Sequence, residues 1–306
     1  MGGRIVKYRV RHITHYEYEK PVNACYNRAH LLPRETQFQY TDVPKVIIAP
    51  VPVTGSRRVD YFGNREYHFA IQEPHTELSI EVVTEIKLSD SRIDPVAQLQ
   101  YGNTCQQVKY LLDHPNGNVE ALYAREFLLD SPMIRSTAEL ADYAQDCFDD
   151  AKPLLSAVRD LTNKIYTNFE YDPSFTTIAT PLDEVLTHKR GVCQDFAHLA
   201  IGCLRALGFP ARYISGYLET LPPPGQEKLV GADASHAWFS VYSPGEGWFE
   251  FDPTNDTIPV GQHIVTAWGR DYSDVSPLRG VILGGGASQN LQVSVDVARL
   301  EEHTHA

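Results

Sequence analysis

The sequence has few cysteines, and their spacing excludes two classes of protein. Its 306 residues include five cysteines, Cys25, Cys105, Cys147, Cys193 and Cys203, with no CxxC pair among them. An odd number without paired spacing argues against a disulfide framework and against a zinc ribbon. Each cysteine is therefore expected to be a small buried hydrophobic residue unless its neighbours indicate otherwise.

Long apolar runs and an excess of positive charge are also missing. No stretch approaches the roughly 18 apolar residues of a membrane helix, and the first 30 residues place charge within every short apolar run. We therefore expect a cytoplasmic protein without a membrane partner. Lys and Arg number 27 against 39 Asp and Glu, a net charge of −12, which repels phosphate backbones. Nucleic acid is not expected as a partner.

The hydrophobic pattern divides the chain into two parts. In the first part, successive segments alternate polar with β-branched or aromatic residues, and Gly63-Asn64 separates two of them as a hairpin turn would. This pattern predicts a mostly antiparallel β domain for residues 1–92. From about Asp94 the spacing becomes helical, with one helix predicted at about 153–168, so residues 93–306 are assigned to a second domain.

One segment of the second domain places a cysteine at the start of a helix. Apolar residues recur on one face of this helix, and Gly208 followed by Pro210 predicts its end. Cys193 then lies at the helix N-terminus, where free N–H groups and the helix dipole stabilise a thiolate. Cys203 lies about 15 Å further along the axis, on the apolar stripe, and is predicted to belong to the core.

A nucleophilic cysteine needs a base, and a predicted hairpin offers one. If residues 243–247 form its turn, Tyr242 lies opposite Trp248, and the same register places His236 and Asp252 diagonally on one face. Diagonal Cβ atoms are roughly 7–8 Å apart, a separation that an imidazole and a carboxylate can bridge by a hydrogen bond. A shift of one residue in register would separate the two side chains.

Each of these residues also has an ordinary structural interpretation. A single histidine at a strand start is most often solvated, and Asp252 could equally be a turn residue before Pro253. Asp195, in the first helical turn, could equally be a dipole-stabilising carboxylate or part of a site. His198 points about 140° away from Cys193 and is not expected to be the base.

Three blocks of the sequence resemble the motifs of the transglutaminase-like superfamily, in particular a bacterial branch described as cysteine proteases. They are GVCQDFAHLAIGCLRALGFPARYISGY, SHAW and GWFEFDPTND, at residues 191–217, 235–238 and 247–256. The resemblance covers a core at about residues 155–256. It extends to the N-terminal region that accompanies this branch and to a C-terminal extension at residues 257–306.

The resemblance implies an α+β fold: a papain-like transglutaminase core, with the cysteine helix packed on an antiparallel sheet, preceded by the β domain. It also implies Cys193 as nucleophile, His236 as general base and Asp252 as orienting acid. The backbone N–H of Cys193 is expected to bind the oxyanion, and Tyr171 is a candidate for the aromatic residue that assists it in animal transglutaminases. No calcium loop of the D-x-[DN]-x-[DN]-G type is present, and we expect neither a metal nor another cofactor.

These residues predict a thioester acyl-enzyme, which either water or an amine can resolve. Water needs no second substrate site, so the preferred function is a thiol-dependent amide-bond hydrolase, a cysteine peptidase or amidase, acting on a peptide or amide substrate. Transglutaminase-type transfer to an amine acceptor is the alternative, and a non-catalytic binding module is the second. A third is a mononuclear metal site formed by Cys193, His236 and Asp252. The sequence does not predict an oligomeric state.

Overall fold

A long antiparallel sheet, built from both ends of the chain, lies beside a smaller sheet that carries helices. The computed structural model describes residues 5–89, 99–175, 177, 180–220 and 235–300. Within these residues the structure contains both helices and antiparallel sheets. The predicted α+β class is therefore confirmed.

The long sheet begins with the predicted N-terminal strands. These are β1 (Ile5–Leu32), β2 (Gln39–Thr41), β3 (Lys45–Ala49), β4 (Thr54–Val59), β5 (Arg65–Ile71) and β6 (His75–Ser89). The first half of β1 pairs with β6 and its second half with β5, both antiparallel. The predicted hairpin joins β4 to β5, and Gly63 adopts φ 77° in its turn, a conformation that favours glycine.

Helices occupy most of the middle of the chain. They are α1 (Cys105–Asp113), α2 (Val119–Ala124), α3 (Ala138–Ala144), α4 (Leu154–Asn168), α5 (Leu182–His188), α6 (Cys193–Ala206) and α7 (Tyr272–Val275), with 3₁₀ turns at Arg125–Leu128 and Gln145–Cys147. Both predicted helices, α4 and α6, form close to their expected bounds. None of the helices described by the structure is long and apolar enough to cross a membrane.

The smaller sheet supports the cysteine helix. Short strands β7 (Glu170–Tyr171) and β8 (Arg190–Gly191) pair with each other, and the sheet itself contains β9 (Ala211–Leu218), β10 (Ser235–Ser243), β11 (Gly247–Phe251) and β12 (His263–Gly269). Its strand order is β11-β10-β9-β12. Helix α6 is buried against β9 and β10 because most of its residues are apolar or small, and its buried apolar residues belong to the same core as Phe239 and Val241.

The C-terminal strands return to the long sheet. Strands β13 (Leu278–Gly284) and β14 (Gln289–Leu300) both pair antiparallel with β1, which joins Val22 to Gly284 and Lys7 to Leu300. The segment assigned from the sequence to an extension of the second domain thus contributes strands to the N-terminal sheet. The domain boundaries themselves stay predictions.

Two side chains of the long sheet's domain bind the outer edge of β12. Gln39 donates from Nε2 to the Val265 carbonyl at 2.7 Å and accepts the Val265 N–H at 2.9 Å. Asn64 makes the equivalent pair with Trp268, at 2.8 and 2.9 Å. Each amide imitates a neighbouring strand, so the edge of the smaller sheet is held by the domain next to it.

Candidate active site

Cys193 is the first residue of α6, as the sequence predicts. Strand β8 leads into it, and Val192 takes the extended conformation of a residue that precedes a helix. Cys193 is partly exposed, whereas the other four cysteines are buried. Burial raises the pKa of the other thiols, to about 11 for both Cys105 and Cys147. Cys193 is thus the cysteine best placed to meet a solute.

The hairpin that carries the predicted base has the expected register. Tyr242 pairs with Trp248 and Phe239 with Phe251, so His236 and Asp252 share a face of the sheet. His236 Nε2 lies 2.8 Å from Asp252 Oδ2. The other ring nitrogen, Nδ1, remains available to Cys193, whose thiol lies close enough to His236 to raise the pKa of the imidazole. The structure brings the three predicted site residues together.

Asp252 combines the two interpretations that the sequence left open. Its Oδ1 accepts the backbone N–H groups of Thr254 and Asn255 at 3.0 and 3.3 Å, which is the bonding of a turn-forming aspartate. Its Oδ2 is directed to His236 instead. The carboxylate is fully buried, and the turn therefore fixes the orientation in which Asp252 meets the imidazole.

Two further residues bind the same carboxylate oxygen and were missed by the sequence analysis. His263 Nε2 lies 2.9 Å from Asp252 Oδ2, and the Asn255 side-chain amide donates to it at 2.7 Å. Asn255 follows Asp252 in the DPTN turn, a local signal that could have identified it. His263 belongs to another strand, β12, and no local pattern connects it with Asp252.

The electrostatics of the site favour an ionised pair. Burial by itself lowers the pKa of His236, but hydrogen bonds and charge from Asp252 and Cys193 outweigh it and raise this pKa to about 10. Burial raises the pKa of Asp252, while its bonds to His236 and His263 lower it well below its usual range. Asp252 is therefore a carboxylate at neutral pH and stabilises an imidazolium at His236.

An aromatic ring covers one face of the His236 imidazole. The ring of Trp238, which is fully buried, stacks on His236 at 5.8 Å between centroids and meets His263 edge-on at 5.1 Å. Its Nε1–H donates to Glu250 at 2.9 Å, which fixes the ring plane. The stacked indole excludes water from one face of His236.

The structure also shows the surroundings of three other residues that the sequence singled out. Asp195 is buried, and its Oδ2 accepts the N–H of Val192 at 2.8 Å, so the structural interpretation of this residue is correct. Cys203 is fully buried in the core, as predicted. His198 is also buried and accepts the Tyr272 N–H at 3.1 Å, so it cannot face Cys193.

Tyr171, the sequence candidate for an assisting aromatic residue, lies beside the turn that precedes the cysteine. It pairs with Gly191 across β7 and β8, and its side chain is 55% exposed. Partial burial raises its pKa, and the charges of Cys193 and Asp195 raise it further. Tyr171 thus lies within electrostatic reach of the thiol.

Among the described residues, two groups of side chains have the composition of metal ligands. The ligand atoms of His236, Asp252 and His263 lie within 4.8 Å of one another, and a second group contains His30, Asp60 and Glu66. In the first group, a metal would have to displace the hydrogen bonds that both imidazoles make with Asp252. The set of Cys193, His236 and Asp252 is not among the clusters found in the described residues.

Comparisons with known proteins show which family the chain resembles. A sequence model of the transglutaminase-like superfamily matches residues 141–253, and one of the bacterial transglutaminase-like N-terminal region matches residues 8–87. An uncharacterised protein of Mycobacterium tuberculosis is 40% identical over 299 residues, which are 96% of this chain and 93% of the relative. A protein-glutamine gamma-glutamyltransferase of Pseudomonas aeruginosa is 33% identical over 107 residues, 32% of this chain and 16% of that protein.

A solved structure extends the likeness to the whole fold. A presumed cysteine protease from Cytophaga hutchinsonii superposes with a TM-score of 0.73 at 24% identity, over 98% of this chain and 93% of that one. The two sequence models fall on the two sheets described above, and the resemblance predicted from the motifs is confirmed. The chain belongs to the transglutaminase-like superfamily.

Proposed function

We propose that the protein is a thiol-dependent amide hydrolase in which Cys193 is the nucleophile, His236 the general base and Asp252 the orienting acid. The observation that supports this most directly is the 2.8 Å contact between His236 and the buried carboxylate of Asp252, at an imidazole close enough to the Cys193 thiol for that thiol to raise its pKa. A nucleophile, a base and a group that orients the base are the parts that covalent catalysis of acyl transfer requires.

The first half of the reaction forms an acyl-enzyme. His236 takes the thiol proton, and the Cys193 sulfur attacks the amide carbonyl, whose π electrons move to oxygen. The tetrahedral intermediate collapses when the C–N bond breaks, and His236 donates its proton to the leaving amine. A thioester at Cys193 and a free amine result.

The second half restores the enzyme. His236 takes a proton from water, and the resulting hydroxide attacks the thioester carbonyl. The C–S bond breaks, the carboxylic acid leaves, and the thiolate and imidazolium pair re-forms. Asp252 holds the imidazole in one orientation through both halves and stabilises its positive charge.

Two donors are available for the oxyanion. The backbone N–H of Cys193 is free of an intrahelical partner because it opens α6. Tyr171 is our second candidate, since β7 carries it next to β8 and the turn before the cysteine. Tyr171→Phe is expected to slow acylation without lowering the reactivity of Cys193 towards small alkylating reagents.

Hydrolysis and transfer to an amine would use the same three residues. The name of one similar protein supports each reaction. The name of the C. hutchinsonii protein refers to proteolysis, and that of the P. aeruginosa protein to glutamyl transfer. We place hydrolysis first because water needs no second binding site. Transfer to an amine remains the alternative, and the sequence-based cytoplasmic location stays a prediction.

The reactivity of Cys193 tests the proposal. Native protein is treated with trace iodoacetamide between pH 5 and 9, and the alkylated cysteine is located by peptide mass mapping. We expect selective modification of Cys193 well below pH 8, lost in His236→Ala. Cys147→Ser is the matched control, since it removes a buried cysteine, whereas Cys193 is partly exposed. Reaction no faster than that of an ordinary thiol would favour the binding-module alternative instead.

The fate of the acyl group distinguishes the two reactions. A glutamine-containing protein substrate is incubated with the enzyme and a fluorescent primary amine, and both amine incorporation and newly formed amino termini are measured. Hydrolysis predicts new termini, or release of ammonia, with little incorporation, and Cys193→Ala abolishes both signals. Incorporation that exceeds hydrolysis would instead assign the protein to acyl transfer.

A further inference from the structure

A second imidazole binds the carboxylate that orients the proposed base. His263 opens β12, and its Nε2 lies 2.9 Å from Asp252 Oδ2, the same oxygen that meets His236 at 2.8 Å. The His263 side chain is only 6% exposed. Asp252 thus lies between two imidazoles, of which one faces the thiol and the other does not.

The surroundings of His263 indicate which of its ring nitrogens carries a proton. Its Nδ1 is buried and has no hydrogen-bond partner within the described part of the chain. An imidazolium would leave an N–H unpaired there, whereas the neutral tautomer with its proton on Nε2 leaves only a lone pair and still donates to Asp252. The neutral Nε2–H form therefore fits this environment better than the cation.

The strand that carries His263 is held from both sides. On one side, β12 pairs with β9, and the approach at Gly216 is so close that an added Cβ would lie 2.0 Å from the Ile264 carbonyl oxygen. On the other side, Gln39 and Asn64 of the neighbouring domain bind the backbone of Val265 and Trp268. His263 therefore reaches Asp252 from a backbone with little freedom to move.

We propose that His263 is a positioning residue, a fixed neutral donor that holds Asp252 Oδ2 towards His236 and shares the charge of that oxygen. This inference rests on the proposed function of the triad. It also gives the N-terminal domain a part in catalysis, because that domain holds the strand from which His263 extends. His263 acts through Asp252 and touches neither substrate nor thiol.

Within the part of the chain that the structure describes, few ionisable groups lie around His263. Asp252 and His236 face it directly, and Glu250 lies behind Trp238, to whose Nε1 it is bonded. Glu219, next to the strand partner of His263, is directed to Tyr8 and Arg299. The charge that His263 can influence most is therefore that of Asp252, and through it that of His236.

Two substitutions separate positioning from packing. His263→Phe keeps an aromatic ring but removes the donor, and His263→Gln retains an N–H that can reach Oδ2. His75→Gln is a matched control, because His75 is a comparably buried histidine of the long sheet. For each variant, the rates of alkylation by neutral iodoacetamide and by anionic iodoacetate are measured against pH. The ratio of the two rates reports the positive charge on His236.

Loss of the donor has two expected effects. Cys193 alkylation at pH 7 falls on the order of tenfold in His263→Phe, because the base is held less firmly. The alkaline transition of the rate ratio, where His236 loses its proton, moves up by about half a pH unit, because Oδ2 is shared with one donor fewer. His263→Gln and His75→Gln are expected to behave like the native protein.

The remaining outcomes each bear on the inference. A rate loss in His263→Phe with an unmoved transition, or an unchanged rate, overturns the positioning role while leaving the triad intact. An unreactive native Cys193 contradicts the proposed function itself. Should a variant not fold, ¹⁵N–¹H spectra of the native protein still decide: a neutral Nε2–H tautomer at His263 supports the inference, and any other form overturns it.

Discussion

Asp195 and Val192 form the contact that sets the direction in which the chain enters the cysteine helix. Asp195 Oδ2 accepts the Val192 N–H at 2.8 Å, and its side chain lies against Gly191, where an added Cβ would come within 2.8 Å of the same oxygen. The carboxylate and the missing side chain together shape the turn that presents Cys193.

Replacing Asp195 with Ala is expected to lower both stability and reactivity. It leaves the Val192 N–H without its acceptor, which costs about 1 kcal/mol of unfolding free energy, and it loosens the turn before the thiol. Urea unfolding and the rate of Cys193 alkylation measure the two effects. Asp183→Ala is the control, because Asp183 is an exposed acid in the first turn of α5. Equal effects of both substitutions would contradict this role.

Gly216→Ala is expected to disrupt the packing of β12 and Trp238 next to the site. The added methyl would meet the Ile264 carbonyl oxygen at 2.0 Å and the Trp238 ring at 2.5 Å, and the carbonyl cannot yield without moving β12. We expect a loss of stability of about 3 kcal/mol or more and slower alkylation of Cys193. Gly202→Ala is the comparison, since its nearest contact is a movable Leu140 methyl at 2.9 Å. A larger loss at residue 202 would refute the argument.

Gln39→Leu is expected to weaken the contact between the neighbouring domain and β12. The buried N–H and carbonyl of Val265 both lose their partner, which costs about 2 to 4 kcal/mol. Thermal unfolding at neutral pH measures the loss. The exposed Gln72→Leu serves as the control, because the Gln72 amide reaches only the Tyr26 hydroxyl. A wild-type unfolding temperature for Gln39→Leu would argue against the contact.

Stability is expected to fall as the pH drops from about 6.5 to 4. Burial lowers the pKa of His12 to about 4, and burial also lowers that of His198 to about 4, with Asp271 opposing the shift. In the unfolded chain both histidines bind a proton as the pH falls below about 6.5, whereas in the folded protein they stay neutral until about pH 4. Over this range the unfolded state binds more protons, so the free energy of unfolding falls, by about 3 kcal/mol at most for each histidine.

Urea unfolding at a series of pH values checks this dependence. His12→Gln is expected to flatten the slope between pH 6.5 and 4, because it removes one of the two groups, while the exposed His114→Gln leaves the slope unchanged. An unaltered slope in His12→Gln would show that protons bind elsewhere. His12 is bonded to the hydroxyls of Thr14 and Tyr217, so its protonation would require both hydroxyls to accept a hydrogen bond from the ring.

The parts of the site that could be predicted depend on short spacings. The position of Cys193 at a helix start follows from an apolar stripe and a Gly208 stop within one segment. The pairing of His236 with Asp252 follows from a single turn, since a hairpin register is set by its loop. In both cases the interacting groups are close in sequence, so few alternative arrangements compete.

The contacts that could not be predicted from the sequence depend on which strands become neighbours. His263 reaches Asp252 because β12 pairs with β9 rather than with the adjacent hairpin strand β11. Strands β13 and β14 pair with β1 across about 250 residues of sequence or more, and nothing in their own hydrophobic pattern indicates which strand they pair with. The same alternation of apolar residues would suit any sheet with a free edge.

The sequence by itself determined the N-terminal strands, helices α4 and α6, the helix-start cysteine and the face that His236 shares with Asp252, because local periodicity and turn chemistry decide these. Only the tertiary structure decided that His263 binds Asp252 and that Gln39 and Asn64 hold its strand. Such contacts form where buried polar groups of distant segments must find partners, and that choice is made by the packing of the whole chain.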